Sequence, residues 1–451
     1  RTRAGPSRPA SPGVFPMIRV RPVGRLALFL ALGGTSPCHA ATQEAKAPDY
    51  LEWRLLNRNY FLYNDYRRAD AGRGYRKEWA HGLIADLESA YTPGRVGFGL
   101  DLHGFAGFKL DGGRGHAGTG LLPLDSSGDN ASEYSDAGAA LKLRLGESLL
   151  KVGEMTVETP VFDTSDKRLQ PQYARGFFLQ SDDLDRVRIQ AGRFTAFKEQ
   201  ASSSGHGDFD GYGASTAGSA IGFAGASLAA SDNLSGSLFA AQLDNVWRQV
   251  YLNMNLQRAA FSLDGNLYRT RDQGRSRAGA IDTLAYSLQL KYRVGAQGFS
   301  LAYQRVHGDT PFDFVGGDSI YLANSIKYAD FNGPGERSWQ ARYDLDLAPF
   351  GLPGLSFMAR YVSGRAIDGS HAPAGGAYNP LGADGRYRPL QGSGGKHWER
   401  DLDLRYLFAS GPFKDLSLNV SHLSHRANAA QAGDDIDRLY LIVEYPLKGS
   451  L

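Results

Sequence analysis

The sequence predicts an all-β protein that forms a single transmembrane antiparallel β-barrel. Segments in which apolar and polar residues alternate recur along most of the chain, and many reach the length of about nine residues that a tilted strand needs to cross a bilayer. The connections between them are of two kinds, short turns and long polar loops. A soluble sheet also alternates, but its apolar face needs a second layer to cover it, whereas lipid covers the outside of a barrel. Closure also removes the unpaired sheet edges that are costly in lipid.

The first 40 residues are predicted not to belong to the mature protein. Residues 1–16, rich in Arg, Pro, Gly and Ser, are interpreted as an upstream extension that is not part of the natural protein, and Met17 as the true start. Residues 17–40 have the pattern of a signal peptide, with three arginines, the apolar run 26–32 and cleavage expected after Ala40. That run is too short for a membrane anchor, which needs about 20 apolar residues. We expect residues 41–451 to form one barrel domain.

Removal of this leader changes the charge and the cysteine content. The whole chain has 50 Lys and Arg against 47 Asp and Glu, a formal charge of +3. Residues 1–40 contain six arginines and no acid, so the mature chain has 44 basic and 47 acidic residues and a formal charge of −3. The single cysteine, Cys38, also lies in the leader. The mature chain therefore has no disulfide, thiolate nucleophile or cysteine metal ligand.

The segment 96–110 shows the strand alternation clearly. Val96, Phe98 and Leu100 fall on one face, and Asp101 and His103 on the other. One apolar face and one repeatedly charged face fit a strand with lipid outside and water inside. Further two-faced segments are predicted to be strands at 83–91, 137–145, 187–191, 249–257, 261–267, 286–294, 299–305, 339–347, 355–361, 402–408 and 439–445.

The connections predict which end of the barrel faces which compartment. Aromatic residues near strand ends, such as Trp53 and Trp339, suit the two interfacial girdles of such a barrel. Short connections are typical of periplasmic turns and long polar ones of extracellular loops. We therefore predict turns at 92–95 and 146–148, and loops at 111–136, 201–217, 307–318 and 367–396.

The stretch 153–176 breaks this pattern. Pro160 and Pro171, with a dense set of Asp, Lys and Arg, exclude a continuous strand. Val161, Phe162 and Leu169 are nevertheless too apolar for a loop in free solution. We therefore predict a loop that folds inward into the polar interior of the barrel and constricts it.

Catalytic and cofactor motifs are absent from the sequence. It has no Gly-x-Ser-x-Gly elbow, no His-Glu-x-x-His motif and no phosphate-binding Gly-x-x-x-x-Gly-Lys-Ser/Thr loop. His422 and His425 are three residues apart, which places them on opposite faces of a strand, so we predict no metal site there. We expect no enzyme activity, no cofactor and no nucleic-acid partner.

Several motifs together resemble the OprD family of outer-membrane porins. The segments around the predicted constriction loop resemble the loop of that family, and other segments follow in family order. This resemblance implies eighteen strands, an inward constriction loop and an outer-membrane location in a Gram-negative bacterium. The matching segments include Arg58-Asn59-Tyr60-Phe61, Gly153-Glu154-Met155, Pro160-Val161-Phe162, Gly176-Phe177, Gly308-Asp309-Thr310-Pro311-Phe312-Asp313, Gly317-Asp318-Ser319-Ile320-Tyr321, Trp339-Gln340-Ala341-Arg342, Ser410-Gly411-Pro412 and Leu441-Ile442-Val443-Glu444-Tyr445.

The resemblance also implies a ladder of basic residues on the barrel wall. Arg76, Arg168 and Arg405 stand where similar members carry basic residues, and Arg168 is the strongest candidate because it lies in the inward loop. Arg58 is a further candidate on the less apolar face of its segment, as are Arg54, Lys142, Arg144, Arg188 and Arg342. The ladder is incomplete, because residues other than arginine stand at four positions that look arginine-bearing in those members: Asn64, Asn419, Ser421 and Tyr440.

An electronegative pocket near the constriction is the second feature that the resemblance implies. Asp313 and Asp318 match the loop motifs of the family, and Asp163 and Asp166 add charge to the constriction loop. Two tyrosines are candidates to supply hydroxyl groups near the narrowest point, Tyr173 and Tyr212. A basic ladder facing an acidic pocket orients a zwitterion, whose carboxylate moves along the ladder.

These features predict a porin for passive, substrate-selective diffusion of small carboxylate-containing nutrients, such as amino acids and small organic acids. Charged walls in a narrow aqueous lumen focus the field on a passing solute and select it. The alternative is a barrel that anchors an outer-membrane enzyme or adhesin. Expected partners are outer-membrane lipid and lipopolysaccharide, the solutes and the barrel assembly machinery, and the expected assembly is a monomer or a weak trimer.

Overall fold

A computed structural model describes residues 50–67, 74–112, 115–209 and 218–450 of the chain. The predicted upstream extension 1–16, the predicted signal peptide 17–40 and the candidate residue Tyr212 lie outside these ranges. Within the ranges, no helix is long and apolar enough to cross a membrane.

Eighteen strands form one closed antiparallel sheet. Each barrel strand pairs with the next one along the chain, and β20 pairs with β1 to close the ring. Two short strands, β6 and β7, form a separate hairpin between β5 and β8. The prediction of an all-β barrel of eighteen strands is confirmed. The strands are β1 Leu51–Tyr66, β2 Tyr75–Ser89, β3 Val96–Asp111, β4 Glu133–Leu145, β5 Ser148–Met155, β6 Glu158–Thr159, β7 Phe162–Asp163, β8 Tyr173–Leu184, β9 Val187–Lys198, β10 Ile221–Ser231, β11 Leu234–Leu243, β12 Trp247–Arg258, β13 Phe261–Asp272, β14 Asp282–Val294, β15 Gln297–His307, β16 Arg337–Asp346, β17 Leu355–Asp368, β18 Ser393–Leu407, β19 Ser417–Ala427 and β20 Ile436–Ser450, with one 3₁₀ turn at Ala348–Phe350.

The two faces of each strand meet different surroundings, as β12 shows. Val250 and Leu252 are exposed on the outside, whereas Gln249 and Tyr251 are buried inside the barrel. Gln249 Nε2 donates to Thr270 Oγ1 on β13 at 3.0 Å, so the inward polar group is paired across the sheet. Apolar side chains therefore cover the outside, where lipid solvates them, and polar side chains line the inside.

One end of the barrel has tight turns. The connections 146–147, 185–186, 232–233, 259–260 and 295–296 have two residues each. Gly146 and Gly295 have φ values of 61° and 55°, in the left-handed region that two-residue hairpin turns require. The other end has the long connections 112–132, 199–220, 308–336 and 369–392, which agrees with the predicted division of turns and loops.

The loop predicted at 307–318 is much longer than expected, because β16 begins only at Arg337. The part beyond residue 318 carries apolar residues such as Ile320, Leu322 and Phe331, and all three are buried. These side chains pack inside the barrel. The connection 308–336, named here the second inward loop, therefore joins the constriction loop in filling the interior.

An apolar core lies inside the barrel, between the inward loops and the wall. The ring of Phe162 in the constriction loop lies 5.3 Å from the ring of Phe194 on β9 and 5.7 Å from that of Phe209. Phe312 of the second inward loop packs against Tyr268 of β13 with a centroid distance of 4.7 Å. This core fixes both loops to the wall, because burial of large aromatic side chains stabilises their positions strongly.

Candidate functional site

The constriction loop, residues 156–172, is built around the β6–β7 hairpin. Thr159 Oγ1 donates to the carbonyl of Phe162 at 2.8 Å and accepts from the Phe162 amide at 3.1 Å, which closes a tight turn at Pro160-Val161. The Tyr268 hydroxyl on β13 donates to the Pro160 carbonyl at 2.7 Å. The predicted inward loop is present, and its tip lies inside the barrel in contact with β9 and β13.

The predicted ligand-binding residue Arg58 holds the other part of this loop. Its Nη1 and Nη2 bond both carboxylate oxygens of Asp166 at 2.6 and 2.9 Å, and its Nε bonds Glu444 of β20 at 2.7 Å. Nη1 also donates to the Arg168 carbonyl at 2.8 Å. Burial raises the pKa of the Asp166 carboxyl, and the adjacent Arg58 guanidinium opposes that rise. With 4% of its surface exposed, Arg58 ties the loop to the seam between β1 and β20.

Arg168 and Lys167 are the cations that this arrangement leaves at the loop surface. Arg168 is partly exposed and donates to the Lys167 carbonyl at 3.0 Å. No carboxylate among the described residues is within ion-pair distance of its guanidinium. Lys167, by contrast, forms an ion pair with Asp318 of the second inward loop. The loop therefore presents one neutralised cation and one with no acidic partner in the described part of the chain.

The acidic candidates divide between the surface and the interior. Asp318 pairs with Lys167 and remains partly exposed, whereas Asp313 is 1% exposed and its carbonyl accepts from Gln249 at 3.1 Å. Asp163 is buried and accepts a hydrogen bond of 2.7 Å from the Tyr321 hydroxyl. Burial and the nearby Asp163 carboxylate raise the pKa of Tyr321 well above its usual range, so that this hydroxyl is a neutral donor.

The other three predicted site residues lie away from this centre. Arg76 points inward near the long-loop end, where it donates to the Gly115 carbonyl at 2.7 Å. Arg405 lies on the inward face of β18, close to the end with tight turns. Tyr173 begins β8 and is buried, with its ring stacked on His103 at 3.8 Å. Of the predicted residues, the structure thus gathers Arg58, Arg168 and Asp318 at the constriction.

Two groups of titratable side chains in the interior were not predicted. Glu399, Asp401 and Asp403 form a buried acidic row on the inward face of β18, and their alternate spacing is visible in the sequence. Asp401 pairs with Arg360 at 2.6 Å, and Asp403 with Lys327 at 2.9 Å. The second inward loop thus brings a lysine to the wall, which no local sequence signal revealed.

The second unpredicted group could hold a metal by its chemistry. Ligand atoms of His103, Asp136 and Glu154 all lie within 4.8 Å of one another. Lys198, however, forms ion pairs with both carboxylates, at 2.8 Å from Glu154. The protein therefore supplies its own cation at the centre of this group.

The histidines of β19 lie as their spacing predicts. His425 is buried on the inner face, and its Nε2 lies 2.9 Å from Nδ1 of His397 on β18. His422 alternates with Leu423 and occupies the outer face with Val420. The two histidines are therefore on opposite sides of the sheet.

Comparison with known proteins identifies relatives over almost the whole barrel. A family model described as outer membrane porin, OprD family, matches residues 49–449. Porin D of Pseudomonas aeruginosa is 42% identical over 444 residues, which cover 94% of this chain and 98% of Porin D. Porin-like protein GalP of Pseudomonas putida is 32% identical over 402 residues, covering 87% of this chain and 91% of GalP. The crystal structure of Pseudomonas aeruginosa OpdK with vanillate superposes with a TM-score of 0.78 at 35% identity, covering 88% of this chain and 99% of OpdK.

These likenesses agree with the architecture, since a closed barrel of eighteen strands encloses an inward hairpin that carries charged residues. The family match covers every described strand apart from the last residue of β20. The chain belongs to the OprD family of outer membrane porins, which are substrate-specific channels of the Gram-negative outer membrane.

Proposed function

We propose that this channel passes small carboxylate-bearing solutes, such as amino acids and small organic acids, by passive diffusion. The observation that carries the proposal is the placement of Arg168, a partly exposed guanidinium in the constriction loop with no acidic partner among the described residues. A guanidinium matches a carboxylate with two parallel hydrogen bonds. OpdK, one of the similar channels, was crystallised with vanillate, which is a small carboxylate.

The remaining candidates have supporting roles in this proposal. Arg76 near the long-loop end and Arg405 near the opposite end attract the carboxylate before and after the constriction. Asp318 beside Lys167 faces the cationic group of a zwitterion. Asp313 acts from behind the surface through its field, and Arg58 by holding the loop that carries Arg168. Tyr173 shapes the wall through its stacking on His103.

Arg168→Ala is expected to lower carboxylate flux severalfold and to shift the reversal potential toward cations. At an effective dielectric of about 20, two unit charges about 4 Å apart interact by about 4 kcal/mol before desolvation is subtracted. The loss of one well-placed charge is therefore large. The measurement is reversal potential and carboxylate uptake in planar bilayers and liposomes at low salt, where screening is weak.

Arg168→Lys is the matched control, because it keeps the charge and should keep most of the anion preference. Arg186→Ala lies in the two-residue turn 185–186, at the end of the barrel with tight turns. It should change neither carboxylate flux nor reversal potential. If Arg168→Ala folds normally and leaves both flux and reversal potential unchanged, the carboxylate proposal loses its central residue.

We also infer that the chain is not an enzyme and that the barrel does not serve as an anchor for one. The support is that the relatives over nearly the full length are porins. The interior is occupied by loops that shape a passage. Export by the segment 17–40, cleavage after Ala40 and insertion of 41–451 by the barrel assembly machinery are part of the same proposal.

We infer further that the barrel is a monomer or a weak trimer, and that any association uses a polar patch on its outer face. Asn57 and Asn59 lie on the outer face of β1, since they alternate with the buried Arg58, and His81 of β2 pairs with Asn59. Trp79 Nε1 donates to Asn59 Oδ1 at 2.8 Å and Asn57 Nδ2 donates to the Tyr445 carbonyl at 3.4 Å, so the patch combines several polar groups on the outer face. Polar groups on the lipid face are costly, and a neighbouring protomer offers them partners.

A cysteine at this patch is expected to crosslink between protomers. The mature chain has no cysteine, so Asn59→Cys introduces a single thiol. A short thiol crosslinker applied to native membranes should give dimers on denaturing gels, whereas Leu252→Cys on the apolar outer face of β12 should not. Equal crosslinking at both positions would contradict the interface.

Lipopolysaccharide is the outer-leaflet partner in this proposal. Arg67 and Arg426 both bond the single carboxylate of Asp437, at 2.6 and 2.9 Å, near the long-loop end. Arg67 also pairs with Asp65 at 3.1 Å, but 54% of its side chain is exposed, so its guanidinium is accessible to a phosphate group at the outer surface.

A further inference from the structure

Lys327, at the tip of the second inward loop, reaches the wall formed by β18, β19 and β20. Its Nζ lies 2.9 Å from Asp403 Oδ1 and 3.0 Å from Ser421 Oγ, and 5.2 Å from the centre of the Tyr440 ring. These contacts join one loop residue to three adjacent strands. The ammonium group of Lys327 therefore lies on the lumen wall, although its backbone belongs to a loop.

A buried carboxylate fixes this tip in place. Glu399 accepts from the amides of Tyr328 and Ala329 at 3.0 and 2.8 Å, and the Ile326 amide closes the turn on the Ala329 carbonyl at 3.1 Å. Ile326 is buried against Phe331. Lys327 is thus presented by a turn with both sides anchored, so that its side chain loses little freedom when it binds a solute.

The coordination of the lysine is incomplete. An ammonium group has three donors, and Asp403 and Ser421 take two of them. The side chain is 25% exposed, which leaves room for an acceptor from the lumen. Arg438, the neighbouring cation, is 7% exposed and lies between the rings of Tyr328 and Tyr440. Lys327 is therefore the more accessible of these two cations.

The wall residues that Lys327 contacts are not basic themselves, and the wall cation beside them, Arg438 of β20, donates to the Tyr440 hydroxyl at 3.2 Å. Ser421 Oγ donates to Asn419 Oδ1 at 2.8 Å on β19, and Tyr440 faces them from β20. Tyr440 also belongs to one apolar cluster with Tyr60 of β1 and with Leu169, which lies in the constriction loop. The loop lysine thus brings an ammonium group to the acidic row of β18 at a place where the adjoining residues of β19 are uncharged, beside the loop that carries Arg168.

We propose that Lys327 is a specificity-determining residue of the channel, whose ammonium group, held by Asp403 and Ser421, presents a donor to the lumen where the wall cation Arg438 is buried. Lys327 binds a solute carboxylate through its third donor, close to the constriction loop that carries Arg168. The inference rests on the proposed carboxylate selectivity. It adds Lys327 to the residues that bind the solute, and it places the path of the carboxylate along β19 and β20. Asp403 holds the lysine and keeps the solute's binding weak enough for release.

The test compares four variants of the full-length channel in planar bilayers, with the potassium chloride reversal potential as the first readout. Lys327→Met should shift it toward cations and lower carboxylate flux, and Lys327→Gln, which can keep the contacts with Asp403 and Ser421, should do the same. Lys327→Arg should resemble the parent. Lys414→Met, at an exposed turn, should change nothing.

A double variant that moves the positive charge, called here the charge swap, separates an effect of the charge from an effect on the structure. Lys327→Met combined with Ser421→Lys moves the ammonium group from the loop to the wall at the same contact, and it should restore the reversal potential. An unchanged reversal potential in Lys327→Gln, or a charge swap that restores nothing, would overturn the proposal. The reversal potential in potassium chloride reports the preference for chloride over potassium and requires no carboxylate solute. A failure of the Lys327 proposal can therefore be distinguished from a failure of Arg168→Ala to alter carboxylate flux.

Discussion

Deletion of residues 159–171 is expected to raise the single-channel conductance severalfold. The deleted segment contains the tip of the β6–β7 hairpin, which spans the interior from the β5–β8 side to Tyr268 on β13. An electrolyte column conducts in proportion to its cross-section, and this hairpin lies inside the barrel, packed against Phe194 and Phe209 and bonded to Tyr268. The measurement is conductance in potassium chloride, with heat-modifiable migration on gels as proof that the barrel has formed.

The control is a deletion of residues 381–388, an exposed segment of the loop between β17 and β18. That variant should conduct like the parent. A folded 159–171 deletion with the parent's conductance would show that this loop is not the narrowest part of the channel. Ion selectivity should fall in the same experiment, since Arg168 is removed with the loop.

Arg58→Met is expected to release the constriction loop and to produce a noisy, fluctuating current. The substitution leaves Asp166 and Glu444 without the guanidinium that joins them. Removal of one partner from a fully buried ion pair costs about 3–5 kcal/mol. Both carboxylates here keep some contact with the lumen, so we expect a smaller loss, concentrated in the loop. The barrel itself should persist, because its strands remain paired.

Current noise in single-channel recordings and protease sensitivity of the loop measure this release. Arg54→Met is the matched control, since Arg54 lies on the same strand with 31% of its side chain exposed and is not part of the clamp with Asp166 and Glu444. Equal noise in both variants would show that Arg58 does not hold the loop. Asp166→Asn should reproduce part of the Arg58→Met effect, because it removes one charge of the same clamp.

The alternation of side chains was sufficient to predict the barrel wall. Segments such as 96–110 and 249–257 needed no long-range information, because the outer and inner surroundings differ at every second residue. The number of strands came from the family resemblance. Alternation alone does not determine where a strand begins or ends if polar residues face outward, as Asn57 and Asn59 do.

The interior could be predicted only in part. Prolines and charges identified the constriction loop, but of the second inward loop only residues 307–318 were predicted to be a loop. Ile320 and Leu322 are buried by contacts that fold back inside the barrel, and a periodic pattern cannot distinguish such contacts from a strand. The role of Arg58 was hidden for a similar reason, because its partner Glu444 lies 386 residues along the chain.

The pairing of β1 with β20 has a consequence for how the chain folds. Residues from Glu52 to Tyr66 are aligned with residues from Ser450 back to Ile436, so the first and last strands are each other's neighbours. Contacts of such sequence separation form slowly, because the intervening chain must first be ordered. Until the last strand has been made, both edges expose unpaired amides and carbonyls. In lipid these unpaired groups are energetically costly, and in an aqueous compartment they promote aggregation. Synthesis and barrel formation are therefore separate events for this protein, and the unfinished edges require a temporary β-strand partner until the seam closes.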